Sequence, residues 1–163
     1  RTDGYEGFFH LQEMSGKVEE ARMVYIIRDH SMERFQERKA AFQKAAEEMN
    51  RRCGAGTVDA KVEDQYYNMY EVLKDRMEIV TLAEEAMKAA GIAQPTHSPI
   101  RGGTDGCMLT YKGLLCPNLP SGGHNAHGRF EFAPVESLKT GVRTVKALVS
   151  PELVERIVLG KEQ

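Results

Sequence analysis

Pro99-Ile-Arg-Gly-Gly-Thr-Asp-Gly106, continued by Cys107-Met-Leu-Thr-Tyr-Lys-Gly-Leu-Leu-Cys-Pro-Asn118 and closed by Gly122-Gly-His-Asn-Ala-His-Gly128-Arg-Phe-Glu-Phe132, is the stretch on which the reading of this chain turns. It sets two glycine-rich loops about one short helix. Gly102 and Gly103 are expected to take positive φ, and Thr104 or Asp105 to cap a helix running to Gly113. Helix-start amides beside Arg101 make an anion seat for a carboxylate or a phosphate. The same residues also make an ordinary capped turn with a surface arginine. No Gly-Lys-Ser/Thr follows, so this is not a Walker loop, and a nucleotide site would lack its lysine and its strand-turn-helix fingerprint.

In the second loop His124 and His127 stand three apart among glycines, on a surface turn rather than in a helix. Either imidazole could hold a metal or move a proton, and either could be a solvated side chain. Zinc asks for three or four ligands, and no His-Glu-x-x-His or Cys-x-x-Cys pattern supplies them.

Upstream, Tyr5 to Met14 is aromatic and strand-like, and Ser15-Gly16-Lys17 reads as a turn. Ala21 to Asp29 follows as a second strand, with Ala21, Met23, Tyr25 and Ile27 on one face and Arg28 on the other, so the two runs predict an antiparallel hairpin. Ser31 caps a long helix whose stripe is Met32, Phe35, Phe42, Ala45, Ala46 and Met49, stopped by Gly54. Thr57 to Gln65 alternates, with Val58, Ala60 and Val62 inward, which predicts a half-exposed strand and a ββαβ unit. A helix from Leu73 to Ala90 ends at Gly91. Downstream of the loops come a short apolar strand, Leu114 to Leu119, and a helix led by Pro134 with the stripe Val135, Leu138, Val142, Val145 and Val149. A last short helix starts near Pro151. The alternation of strands and helices predicts an α/β chain whose second segment belongs to a three-layer domain.

At 163 residues, 41% hydrophobic and 28% charged, the composition is that of a folded globular chain. A net charge of −2 speaks against non-specific nucleic-acid binding. Cys53, Cys107 and Cys116 form no disulfide framework, which with the lack of an apolar run of about 20 residues leads us to expect a cytoplasmic protein with no membrane partner. The chain opens on Arg1 without an initiator methionine, and a piece of a longer protein is expected.

Thr2-Asp-Gly-Tyr-Glu-Gly-Phe-Phe-His10, Tyr25-Ile-Ile-Arg-Asp29, Arg38-Lys39, Asp64-Gln-Tyr-Tyr-Asn-Met69, the Pro99–Gly106 loop and Gly122–Gly128 with Glu131-Phe132 occur in an order that resembles the C-terminal portion of the peptidase T family. These are dizinc aminotripeptidases of the bacterial cytosol. The resemblance implies a partial α+β lid/dimerisation domain over residues 1–67, then the C-terminal part of a three-layer α/β zinc-exopeptidase catalytic domain over 68–163. It implies a small peptide substrate and two zincs per complete enzyme, of which this chain ligates through His127 and not His124. It also makes Arg28 and Arg101 the pair that holds the substrate's C-terminal carboxylate. The glutamate general base is expected upstream of Arg1, so the 163-residue chain alone is expected to be inactive. Ala126 stands where the family usually has an aromatic, and Cys107-Met108 where it has smaller or more polar residues. The other reading of the chain as it stands is a non-catalytic binding module, and the half-lid with its strand edges leads us to expect a homo-oligomer.

Overall fold

The computed structural model describes residues 2–160, a mixed α/β chain with one two-stranded sheet and six helices. Two compact units share it: residues 1–68 with 98–108, and residues 69–97 with 109–163.

In the first unit β1 (Phe8–Lys17) and β2 (Glu20–Arg28) form the expected antiparallel hairpin. Its turn, however, is Val18-Glu19, and Ser15-Gly16-Lys17 belongs to β1. Gly16 is a strand residue paired with Ala21, and a Cβ on it would come within 3.3 Å of the alanine Cβ, a tight but accommodable contact. A register irregularity between Leu11 and Glu13 leaves Gln12 as the extra residue, which re-aims the first half of β1. Helix α1 (Met32–Cys53) begins where the Ser31 side chain accepts from the Arg34 amide, and it ends at Gly54 with φ 111°. It covers the hairpin through Phe42, whose ring meets Tyr25 edge-on at 5.4 Å.

Residues 57–65 keep the alternation read from the sequence, with Val58, Ala60 and Val62 half-buried, but they form no ladder and are not a strand. The first backbone groups are satisfied by a side chain instead. Asn50 accepts from the Val58 amide at 2.7 Å and donates to its carbonyl at 2.8 Å, replacing the strand partner. The unit is therefore ββα with an extended arm, not ββαβ.

The second unit is helical. The helix expected from Leu73 to Ala90 is broken into α2 (Tyr70–Leu73) and α3 (Glu78–Ala89) by a turn in which the Arg76 amide donates to the Leu73 carbonyl. Gly91, at φ 99°, closes α3 as expected. Helix α4 (Asp105–Tyr111) begins in the first unit and ends in this one, and α5 (Val135–Leu148) and α6 (Pro151–Ile157) pack with α3. Leu73, Ala83, Ala86, Met87 and Ala90 form the core, with Thr110 and Thr144 buried beside them. Thr110 turns its hydroxyl to the Cys116 amide at 3.1 Å, so residues 114–119 are held by a side chain and make no strand.

The valine stripe of α5 lies at the surface. Val135, Leu138, Val142, Val145 and Val149 are 51% to 68% exposed, while the covered side of the helix carries Thr140, Gly141 and Thr144. Small side chains let α3 approach closely, and Arg143 donates across to the Ala90 carbonyl at 3.4 Å.

Candidate functional site

The arginine site is built at the open end of the hairpin. Register sets Phe8 directly opposite Arg28, so both side chains leave the sheet on one face. The Phe8 ring carries the Arg101 guanidinium, 5.2 Å from its centroid, and this brings the second arginine to the strand pair that bears the first. Arg101 is held further by the Gly4 carbonyl at 3.3 Å and by the Thr2 hydroxyl. Its hydrogen-bond partners among the described residues are thus in the loop before β1, and Asp105 is the first residue of α4.

Arg28 is half-buried, and among the described residues its guanidinium makes no hydrogen bond or ion pair. Its support is the Tyr66 ring, 4.6 Å away. A planar cation with open donors, set against an aromatic face, suits a carboxylate. The next residue fixes the strand end: Asp29 accepts from Arg38 Nε at 2.8 Å and from the Ser31 amide at 3.0 Å. Burial pushes the Asp29 carboxyl up, but the Arg38 hydrogen bond, the Ser31 amide and the charges of Arg38 and Arg34 outweigh it, and the net shift is downward. Gly7 is required here, since a Cβ would lie 2.0 Å from the Asp29 carboxylate.

Gly102 and Gly103 do not have the positive φ expected of them. Gly103 is needed for a different reason. A Cβ there would stand 1.6 Å from the Tyr66 hydroxyl and 3.3 Å from an Arg28 nitrogen, so the turn lies flat against the pair. Tyr66 and Phe8 were given no role by the sequence, although both lie in the quoted motifs; the available signal was an aromatic in each motif that also supplies an arginine or its neighbour.

In the second unit the histidine loop is a folded turn. His124 and Phe132 exchange backbone hydrogen bonds at 2.8 and 3.2 Å, and their rings stack at 5.1 Å. Asn125 and His127 both have left-handed backbones, φ 55° and 63°, a conformation that costs a non-glycine residue about 1 kcal/mol or more. The strain at His127 is held by Glu131, whose carboxylate accepts the His127 amide at 3.0 Å, and by the Asn125 side chain donating to the Phe130 carbonyl at 3.2 Å. Both histidines are exposed and neither ring makes a hydrogen bond among the described residues; they differ in that the His124 ring stacks on Phe132 while the His127 backbone is the one held by Glu131. As a metal donor set the loop offers the imidazoles of His124 and His127, and no group of three or more His, Cys, Asp or Glu comes together among the described residues. Part of a larger ligand set fits this loop; a whole site does not. Among those residues, too, no helix is long and apolar enough to cross a membrane.

Residues 6–150 match the peptidase family M20/M25/M40, and the chain belongs to that family. It is 46% identical over 148 residues to Peptidase T of Caldanaerobacter subterraneus subsp. tengcongensis, 48% over 149 residues to Peptidase T of Streptococcus thermophilus, and 49% over 148 residues to Peptidase T of Parabacteroides distasonis. Each alignment covers 91% of this chain and 36% of the relative, so the chain spans about a third of the length of these proteins.

Proposed function

We propose that this chain is the carboxylate-reading and metal-completing part of a zinc-dependent, cytoplasmic aminopeptidase that releases the N-terminal residue of tripeptides. The observation that carries the reading is Arg28: a half-buried guanidinium with uncommitted donors, on the same sheet face as the aromatic that carries Arg101. The two arginines receive the substrate's C-terminal carboxylate through charge-assisted hydrogen bonds, and the peptide's length is set by the span from there to the metals. His127 supplies one zinc ligand from a turn that Glu131 holds in place. The zinc to which His127 would contribute a ligand would supply Lewis-acid activation of the scissile carbonyl and of the attacking water. The remaining ligands and the general base come from outside this chain, which on its own is inactive. Residues 1–67 belong to the lid/dimerisation domain and 68–163 to the catalytic domain, with the Pro99–Gly106 loop of the latter packing in the first compact unit.

The test is Arg101→Lys in the complete peptidase that carries this chain. Lysine keeps the charge but loses the planar fork, and each such hydrogen bond is worth roughly 1.5 to 3 kcal/mol. kcat/KM for a free-acid tripeptide is expected to fall at least about tenfold, and that for the C-terminal amide to change little. Equal losses on both would remove the carboxylate role.

A further inference from the structure

Tyr66 stands in contact with both halves of the arginine site without belonging to either. Its ring lies under the Arg28 guanidinium at 4.6 Å, and its hydroxyl occupies the place where a Cβ on Gly103 would be. Arg28 has no other polar partner among the described residues to fix its direction, so the ring is what holds it. The Gly102-Gly103 turn needs no glycine for its backbone angles, and at Gly103 the missing side chain makes room for that phenol. Gly103 and Tyr66 therefore fit as one unit: the bare turn lets the ring in, and the ring presents Arg28 to the space beside Arg101's loop.

We infer that Tyr66 is a positioning residue that aims the Arg28 guanidinium at the substrate's terminal carboxylate, and that Gly103 is kept bare to seat it. The inference rests on the carboxylate role of the arginines and goes beyond it, since it names what sets the selectivity of that pair. Tyr66 itself touches no substrate. The ring face carries the function and the hydroxyl fills space, so phenylalanine substitutes for tyrosine and leucine does not.

The arginine Nε–H resonances of the chain, observed by nuclear magnetic resonance, report this directly. They are followed while Ala-Ala-Ala, or its C-terminal amide, is titrated in. In the unaltered chain the Arg28 and Arg101 signals are expected to move with the free acid and not with the amide. If neither signal distinguishes the two peptides, the carboxylate role falls, and this inference with it. Where they do, Tyr66→Phe is expected to keep the Arg28 response. Tyr66→Leu is expected to weaken the free-acid affinity roughly tenfold, the order of a cation–π contact, and to abolish the difference between acid and amide at Arg28. A retained Arg28 response in Tyr66→Leu overturns the inference and leaves the carboxylate role standing. Hairpin amide shifts show whether that variant is folded. Should it not be, Gly103→Ala asks the same question from the other side: its methyl displaces the phenol, so the acid-specific response of Arg28 must be lost, and its survival is equally fatal to the inference.

Discussion

At Gly7 one missing methyl group decides whether the end of β2 can be held. A Cβ there would lie 2.0 Å from the Asp29 carboxylate and 2.5 Å from Arg38 Nε, so Gly7→Ala must part an ion pair whose acidic side chain is only 1% exposed. A loss of about 1 to 3 kcal/mol is expected, the cost of leaving a buried acceptor unmatched. Urea unfolding measures it, with Gly16→Ala as the comparison, where the nearest contact is a tolerable 3.3 Å and the loss should be smaller. Similar losses at the two sites would mean that the Asp29 pair yields freely. The histidines make a second residue-scale case. The His124 ring stacks on Phe132, while the His127 backbone is held in the left-handed region by Glu131. On the proposed assignment of His127 as the ligand, His127→Ala in the complete peptidase should lose one zinc per chain by elemental analysis and His124→Ala none. Matching losses would contradict the assignment.

Among the elements, two carboxylates tie helix α1 to its neighbours and make the first unit sensitive to acid. For Asp64 the Lys39 hydrogen bond, 2.7 Å, is the main cause of a lowered pKa, with the Tyr67 hydroxyl at 2.8 Å adding to it. For Asp29 burial acts upward and is outweighed by Arg38 and its neighbours. Both groups thus hold their protons less tightly folded than unfolded. Their contribution is fully present above the unfolded pKa near 3.8 and is lost as the pH falls through the lower folded values. Unfolding midpoints are expected to be level from pH 7 to about 5 and then to fall; Asp29→Asn with Asp64→Asn should flatten that fall, and an unchanged slope would show that other groups cause it. The same elements show what the sequence could tell. Helix α1 was legible because Ser31 and Gly54 are local signals that act through their own neighbours. The two arginines were picked out by their motifs, and the structure places Arg28 opposite the phenylalanine that carries Arg101. The strands expected at 57–65 and 114–119 were not, because alternation reports that one side is covered, whereas a strand also needs a ladder partner, and Asn50 and Thr110 took that place. The break between α2 and α3 has no periodic signature at all. Gly103 was noticed for the wrong property, since steric room for Tyr66 is a long-range contact that no local pattern encodes.

For the molecule as a whole, apolar surface left uncovered is the property with consequences. The α5 stripe was read from the sequence as apolar at helical spacing, and in the structure it lies outward, because the covered side of the helix carries Thr140, Gly141 and Thr144. Val135, Leu138, Val142, Val145 and Val149 then form a continuous row along one helix face, which is costly to leave in water and ready to be buried against another surface. The hairpin adds to this, since a two-stranded sheet has two edges and neither β1 nor β2 has a further partner among the described residues. A second copy of the chain is the one partner always present in a pure sample, and self-association is the expected result. Sedimentation should show the weight-average mass rising with concentration. The two features can be told apart: Val142→Glu with Val145→Glu places charges on the stripe and should return the chain to monomer if α5 is the contact, whereas a proline at Met23 should do so if the edge of β2 is. A single species of monomer mass at every concentration would show that neither surface is sticky enough to pair, and that the exposed valines are tolerated as ordinary surface.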